Sequence, residues 1–247
     1  MPVIGGRAHN PDAAEKVAAL GYPFAEISVK TPEDMRANID RLLLIKDKYG
    51  NGYMGHFPNE DHPVKPDILK EIFLPKIKGI LDLCPELSIK KCTLHFWMDT
   101  RWIDPDIAKA KIPILKELVE YASSCGVTIC IENLSEHFES FIPLFDEIPG
   151  LRMTLDIGHA QLLSKTNASF DFIRYCFEKI DHVHVHDNRG GTRLEDDLHL
   201  PLGQGLIEYG KIFTELGNKG YDSTITMELK PEELKETEAK IRKYFYF

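Results

Sequence analysis

The stretch Asp181-His182-Val183-His184-Val185-His186-Asp187 says most about the fold. Successive side chains of a strand point to opposite faces, so three histidines share one face and two valines the other. A strand covered by apolar layers on both sides would carry no such polar face. The alternation suits a closed parallel barrel, with the valines packed outward on helices and the histidines turned inward toward a polar site. It marks His184 as a direct metal ligand, His186 as lining the site, and His182 as deeper and structural.

Outward from this segment, short β-branched or apolar runs alternate with helical patterns. Strands are expected near 2–5, 23–29, 52–57, 90–96, 127–132, 152–156, 181–186 and 223–229. Helices are expected near 11–20, 32–48, 66–83, 105–124, 139–148, 168–178 and 205–217, with a last one from 231 onward. Thr31-Pro32 and Asp104-Pro105 each set a capping side chain before a proline at the first helical position. In the last helix Leu234, Ile241 and Phe245 fall on one side. Strict alternation implies parallel strands, and eight of them close a barrel, so the expected fold is α/β, a (β/α)8 TIM barrel forming one domain over 1–247. An open doubly wound sheet would show a Gly-rich phosphate turn after the first strand; Gly5-Gly6 does not complete GxGxxG.

The chain carries 39 acidic against 30 basic residues, a formal net charge of −9. That balance gives no general pull toward nucleic acid or an anionic membrane. The cysteines, Cys84, Cys92, Cys125, Cys130 and Cys176, are odd in number and form no CxxC pair, as expected of reduced, buried thiols. The opening MPVIGGRAHN lacks the features of a signal peptide, and no apolar run reaches membrane-spanning length. A cytoplasmic location is the expectation.

In such a barrel chemistry collects at the C-terminal ends of the strands. Those ends read His56 in GHFP, His95 in TLHF, Glu132 in CIEN, Asp156 in LDIGH, His184 in HVHVHD and Glu228 in TMELK. Singly, each could be a hydrogen-bonded structural residue or a helix cap. Together on converging strands they point to a divalent metal, since clustered buried carboxylates need a cation to stay charged. His159 stands three residues after Asp156, and Asp197 with His199 in DDLHLPLGQG forms a further chelating pair.

These motifs, in this order, resemble the xylose-isomerase-like TIM barrels, a superfamily of sugar and sugar-phosphate isomerases and epimerases that also holds the endonuclease IV type of apurinic-site nuclease. The resemblance is strongest over 127–229, through IENL, LDIGH, HVHVHDN, LHLPLGQG and MELK. It implies a shared metal site at Glu132, Asp156, His184 and Glu228, with both glutamates moving the proton in isomerases. For the nuclease type it implies up to three zinc ions on His56, His95, Glu132, Asp156, His159, His184, Asp197, His199 and Glu228. The second strand end, AEISVKTPED, is closer to the isomerase-like members. FPNEDHP puts Glu60 and Asp61 where a DNA-phosphate contact wants bases, and no Lys/Arg stripe appears.

The first expectation is therefore an isomerase or epimerase of a small sugar or sugar phosphate, working through a metal-stabilised enediolate with Glu132 and Glu228 as proton carriers. His186, Arg193 and Trp97 are candidate substrate contacts, with Trp102 and Arg189 as weaker ones. Mn2+, Co2+ or Mg2+ would suit that oxygen-rich site. The alternative is a multi-zinc phosphoester hydrolase of the endonuclease IV type, for which the histidines favour Zn2+. Between one and three ions are expected, and the loops and charge disfavour nucleic acid. A barrel that binds without chemistry would leave the two glutamates and the ligand set without a purpose. The sequence sets no oligomeric state.

Overall fold

Each apolar run becomes a strand of one parallel sheet that closes on itself: β1 Val3–Ala8, β2 Phe24–Ser28, β3 Gly52–His56, β4 Lys91–Leu94, β5 Thr128–Glu132, β6 Arg152–Asp156, β7 Ile180–Val185 and β8 Thr224–Met227. Neighbours pair in sequence order and β8 returns to β1, so the (β/α)8 barrel read from the sequence is the observed fold. This computed structural model describes residues 1–245; the last two residues of the expected domain, 246 and 247, lie outside the described residues.

Outward-facing Val183, Val185, Ile129, Ile131, Met153 and Leu155 join the helical residues Phe172, Ile212 and Leu216 in a continuous apolar core. The expected helix starts are capped as read: Thr31 Oγ1 accepts from Asp34 N at 3.1 Å, and Asp104 Oδ1 from Asp106 N at 2.9 Å. Leu234, Ile241 and Phe245 are all buried. Four of the five cysteines are buried and Cys125 is half-buried, with no disulfide among them. Among the described residues no helix is long and apolar enough to cross a membrane.

Two differences from the expected boundaries matter for the site. β1 runs on to Ala8 rather than stopping near residue 5. Gly5 and Gly6 are strand residues, and a Cβ on Gly5 would stand 2.5 Å from the Phe24 carbonyl oxygen. The glycines serve close packing, and the longer strand carries Arg7 to the barrel mouth. The helix expected from residue 205 begins only at Tyr209. Its would-be first turn is held elsewhere, because the amides of Gly203, Gly205 and Ile207 donate to the Asp187 carboxylate at 2.8, 3.0 and 3.1 Å.

Candidate metal centre

Inward-facing positions of β2, β5, β6 and β7 place Glu26, Glu132, Asp156, His182 and His184 together, all fully buried. His184 lies at the centre. Its Nδ1 is 3.0 Å from Glu132 Oε1, 3.5 Å from Glu228 Oε1 and 3.7 Å from Asp156 Oδ2. Its Nε2 faces Glu26, 3.0 and 2.9 Å from the two carboxylate oxygens. Burial opposes a charge on His184, but Glu26, Glu132 and Glu228 outweigh it and hold the imidazole well above its ordinary range. Burial likewise opposes ionisation of Glu132, yet the charges of His184 and His95 hold it well below the usual carboxylate range. A proton on His184 thus supplies the positive charge that a divalent ion would supply on binding.

Four more histidines ring this centre. His95 Nε2 is 2.6 Å from Glu132 Oε2, and His56 Nε2 is 3.7 Å from the same oxygen. His159 Nδ1 is 3.4 Å from Glu132 Oε1, and its Nε2 is 3.3 Å from Asp197 Oδ2. His199 Nε2 is 3.0 Å from Asp197 Oδ2 and its Nδ1 3.5 Å from Glu228 Oε2. All nine residues expected as ligands therefore converge. Ligand atoms of His56, Glu132 and His184, of Asp156, His184 and Glu228, and of His186, Asp197 and His199 lie within 4.8 Å of one another. Two buried atoms there, His186 Nδ1 and Asp197 Oδ1, meet no hydrogen-bond partner. Orphaned donors beside clustered carboxylates are what a cation would satisfy, and these residues fit one.

The loops that aim these groups are built on short polar clamps. Asn133 Nδ2 donates to the Asp156 carbonyl and its Oδ1 accepts from the Asp156 amide, both at 2.9 Å, which locks the end of β6. Gly158 lies flat against the His186 ring, where a Cβ would overlap the imidazole. His199 adopts a left-handed φ of 47°, held by the bridge between Asp187 and Leu200 on its C-terminal side. Strain in a non-glycine residue at such a position is characteristic of functional loops.

Two groups escaped the sequence reading. Arg7 Nε is 3.2 Å from Glu228 Oε1, giving that carboxylate a permanent positive partner. Glu26 bridges His182 and His184; His182 Nδ1 turns the other way, 2.7 Å from Thr224 Oγ1, which is the structural place expected for it.

Above the centre opens a cleft of about 1140 Å3, whose walls include His56, His95, Trp97, Glu132, Arg193 and Glu228. Trp97 and Arg193 thus stand where substrate contacts were expected. His186 does not: it is fully buried, its Nε2 3.1 Å from Asp156 Oδ1, and it does not line the cleft. Trp102 and Arg189 are exposed and also off the cleft walls. Glu60 offers the cleft no negative charge. It is buried against Lys111 at 2.7 Å and accepts from the Trp97 amide at 2.7 Å, while the exposed Asp61 pairs with Lys76 at 3.0 Å and is not on the cleft walls. Lys30, Arg193 and Lys230, from three distant segments, line the cleft with Arg7. The same walls carry Glu132, Asp197, Glu228 and Glu233, so the lining is of mixed charge, a product of folding that no stripe in the sequence shows.

A model of the xylose isomerase-like TIM barrel family matches residues 14–244. The chain belongs to that family. An uncharacterized protein of Methanocaldococcus jannaschii is 27% identical over 231 residues, 87% of this chain and 78% of the relative. The family fold is shared with a D-tagatose 3-epimerase-like protein at 24% identity and TM-score 0.82, covering 98% of this chain and 96% of that one. It is also shared with the IOLI protein carrying a zinc atom, at 18% identity and TM-score 0.77, covering 99% of each chain. The buried His, Asp and Glu clusters of this family member are candidate divalent-metal sites.

Proposed function

We propose that this chain is a multinuclear divalent-metal hydrolase of phosphoesters. One observation carries the reading: both carboxylate oxygens of fully buried Glu132 are enclosed by ring nitrogens of His95, His56, His184 and His159. Four ring nitrogens gathered around one carboxylate at the cleft wall suit a metal ligand in a donor set large enough for more than one ion. His56, His95 and Glu132 would hold one ion. Glu132, Asp156, His184 and Glu228 would hold a second, and Asp197 and His199 would anchor a third. Bound divalent ions supply Lewis acidity and neutralise the attacking and leaving oxygens of a phosphoester.

The protein groups orient and select. Lys30, Arg193 and Lys230 would offer an anionic substrate its charge contacts in the cleft, and Arg7 fixes the Glu228 carboxylate through their 3.2 Å ion pair. The Trp97 indole is pinned, its Nε1 donating to Ser135 Oγ at 3.0 Å, and offers a rigid flat wall. At about 1140 Å3 the cleft stands at the upper end of the roughly 300–1,000 Å3 of common small-molecule sites.

A second reading remains a sugar epimerase or isomerase. It is supported by the fold shared with the D-tagatose 3-epimerase-like protein, and by Glu132 and Glu228 facing His184 Nδ1 together. There the two glutamates would take and return a proton on the substrate carbon. The deciding assay offers purified zinc- or manganese-loaded protein bis-p-nitrophenyl phosphate, abasic-site DNA, free ketohexoses and ketose phosphates. Phosphoester cleavage supports the proposal. Epimerisation of a ketose with no cleavage replaces it with the second reading.

A further inference from the structure

We infer that the phosphoester this cleft takes carries an apolar alkyl or aryl group, seated on leucines at the cleft mouth. The inference rests on the phosphoester reading and names its substrate class.

The cleft changes character with depth. Its floor is polar, with Glu132 and Glu228 buried and His56 half-buried at the strand ends. Its mouth is apolar, because Leu163, Leu194 and Leu198 line it and are 38%, 87% and 42% exposed. Single exposed leucines scattered over a surface are ordinary; three sharing one cleft mark a binding surface. None of the three belongs to the apolar core, so their exposed area is free for a ligand to cover. A sugar would set hydroxyls against them and gain little. An alkyl or aryl group removes its own apolar surface and theirs from water together.

The leucines are also held in place. Leu163 has a left-handed φ of 56°, kept there by its amide donating to the Gly191 carbonyl at 2.8 Å. A bulky residue fixed in that conformation is characteristic of ligand clamps. The same bond ties the loop of Leu163 to the loop that carries Leu194 and Leu198. In that second loop the Asp196 carboxylate accepts from the Thr192 and Arg193 amides at 2.8 and 2.9 Å, which fixes the turn displaying Leu194. Gly191 makes this turn possible, since a Cβ there would overlap the Asp196 carboxylate. Arg193, on the cleft wall beside Leu194, sets a cation next to the apolar seat. An ester with one anionic and one apolar end is complementary to that pairing.

The test is calorimetric titration of the zinc-loaded protein with methyl-, butyl-, hexyl- and phenylphosphonate, which share one anionic head and cannot be hydrolysed. Affinity should climb about twofold to fourfold per added methylene, and the heat-capacity change should grow more negative along the series. The double variant Leu163→Asn, Leu194→Ser should flatten the climb; asparagine is chosen because it tolerates the left-handed φ. Equal affinity across the series, with methylphosphonate bound, overturns the apolar seat and leaves the phosphoester reading intact. A climb as steep in the variant as in wild type overturns the seat as well. A protein that binds none of the phosphonates overturns both. Co-sedimentation with phosphatidic acid vesicles separates the two sources of an apolar phosphoester: wild type in the pellet assigns a lipid, and wild type in the supernatant assigns a soluble ester. The series is read first on the wild-type chain, so a misfolded variant cannot hide the answer.

Discussion

Replacing Glu26 by glutamine keeps the shape of a fully buried side chain and removes its charge. The wild-type carboxylate touches no cleft and no proposed substrate, yet both its oxygens lie about 3 Å from His184 Nε2. Burial opposes its ionisation, but the charges of His184 and His182 hold it well below the usual carboxylate range, so it is an anion at every working pH. A ligand's carboxylate partner is worth about 10- to 100-fold in metal affinity, on the order of 1.4–2.7 kcal/mol. Glu26 also stabilises the proton on metal-free His184, so part of its effect cancels wherever that proton must be displaced. A divalent ion gains more from the anion than a proton does, so a net loss remains, and it should grow as pH rises. Competition with a chromophoric chelator at pH 6, 7.5 and 9 measures this directly, with circular dichroism confirming an intact barrel. Zinc affinity within twofold of wild type at all three pH values would refute the positioning role of Glu26.

Other outcomes follow from the same geometry. Burial opposes a charge on His199, but Asp197 and Glu228 raise its pKa from 6.5 to about 9, so its stabilising contribution to the metal-free protein is complete below 6.5 and lost as pH climbs through 9. Zinc affinity should rise over the same window as the competing proton leaves, with proton release visible by calorimetry in buffers of different ionisation enthalpy. Gly158→Ala drives a Cβ into the His186 ring and should cost about 1–3 kcal/mol, a melting shift of roughly 2–12 °C by calorimetry. Glu132→Gln and Glu228→Gln should each abolish turnover while the chain stays folded; near-normal turnover in either removes that residue from the mechanism. Chelation should inactivate the protein and added divalent metal restore it.

The fold was legible because its signals are local: caps before prolines, alternation along β7, and a polar residue at each late strand end. The convergence of His56, His95, Glu132, Asp156, His159, His184, Asp197, His199 and Glu228 follows from those ends once the barrel closes. Arg7 was hidden because two glycines looked like the end of β1, when Gly5 lets Phe24 approach and Gly6 makes room for Leu234 and Val17. Glu26 did leave a trace, a lone charge inside the apolar run Phe24-Ala25-Glu26-Ile27, but its histidine partners lie more than 150 residues away. Glu60 misled because local sequence cannot show that Lys111, on a helix face shared with Ile114, Leu115 and Leu118, reaches back to neutralise it. The substrate is least legible, since the cleft's cations come from segments far apart in the chain.

The number of divalent ions bound per chain separates hydrolase from epimerase, counted by native mass spectrometry of zinc-loaded protein beside His199→Ala. Three are expected in wild type and two in the variant, with phosphoester cleavage lost together with the third. A single ion, unchanged by His199→Ala and accompanied by ketose epimerisation without hydrolysis, would contradict that expectation.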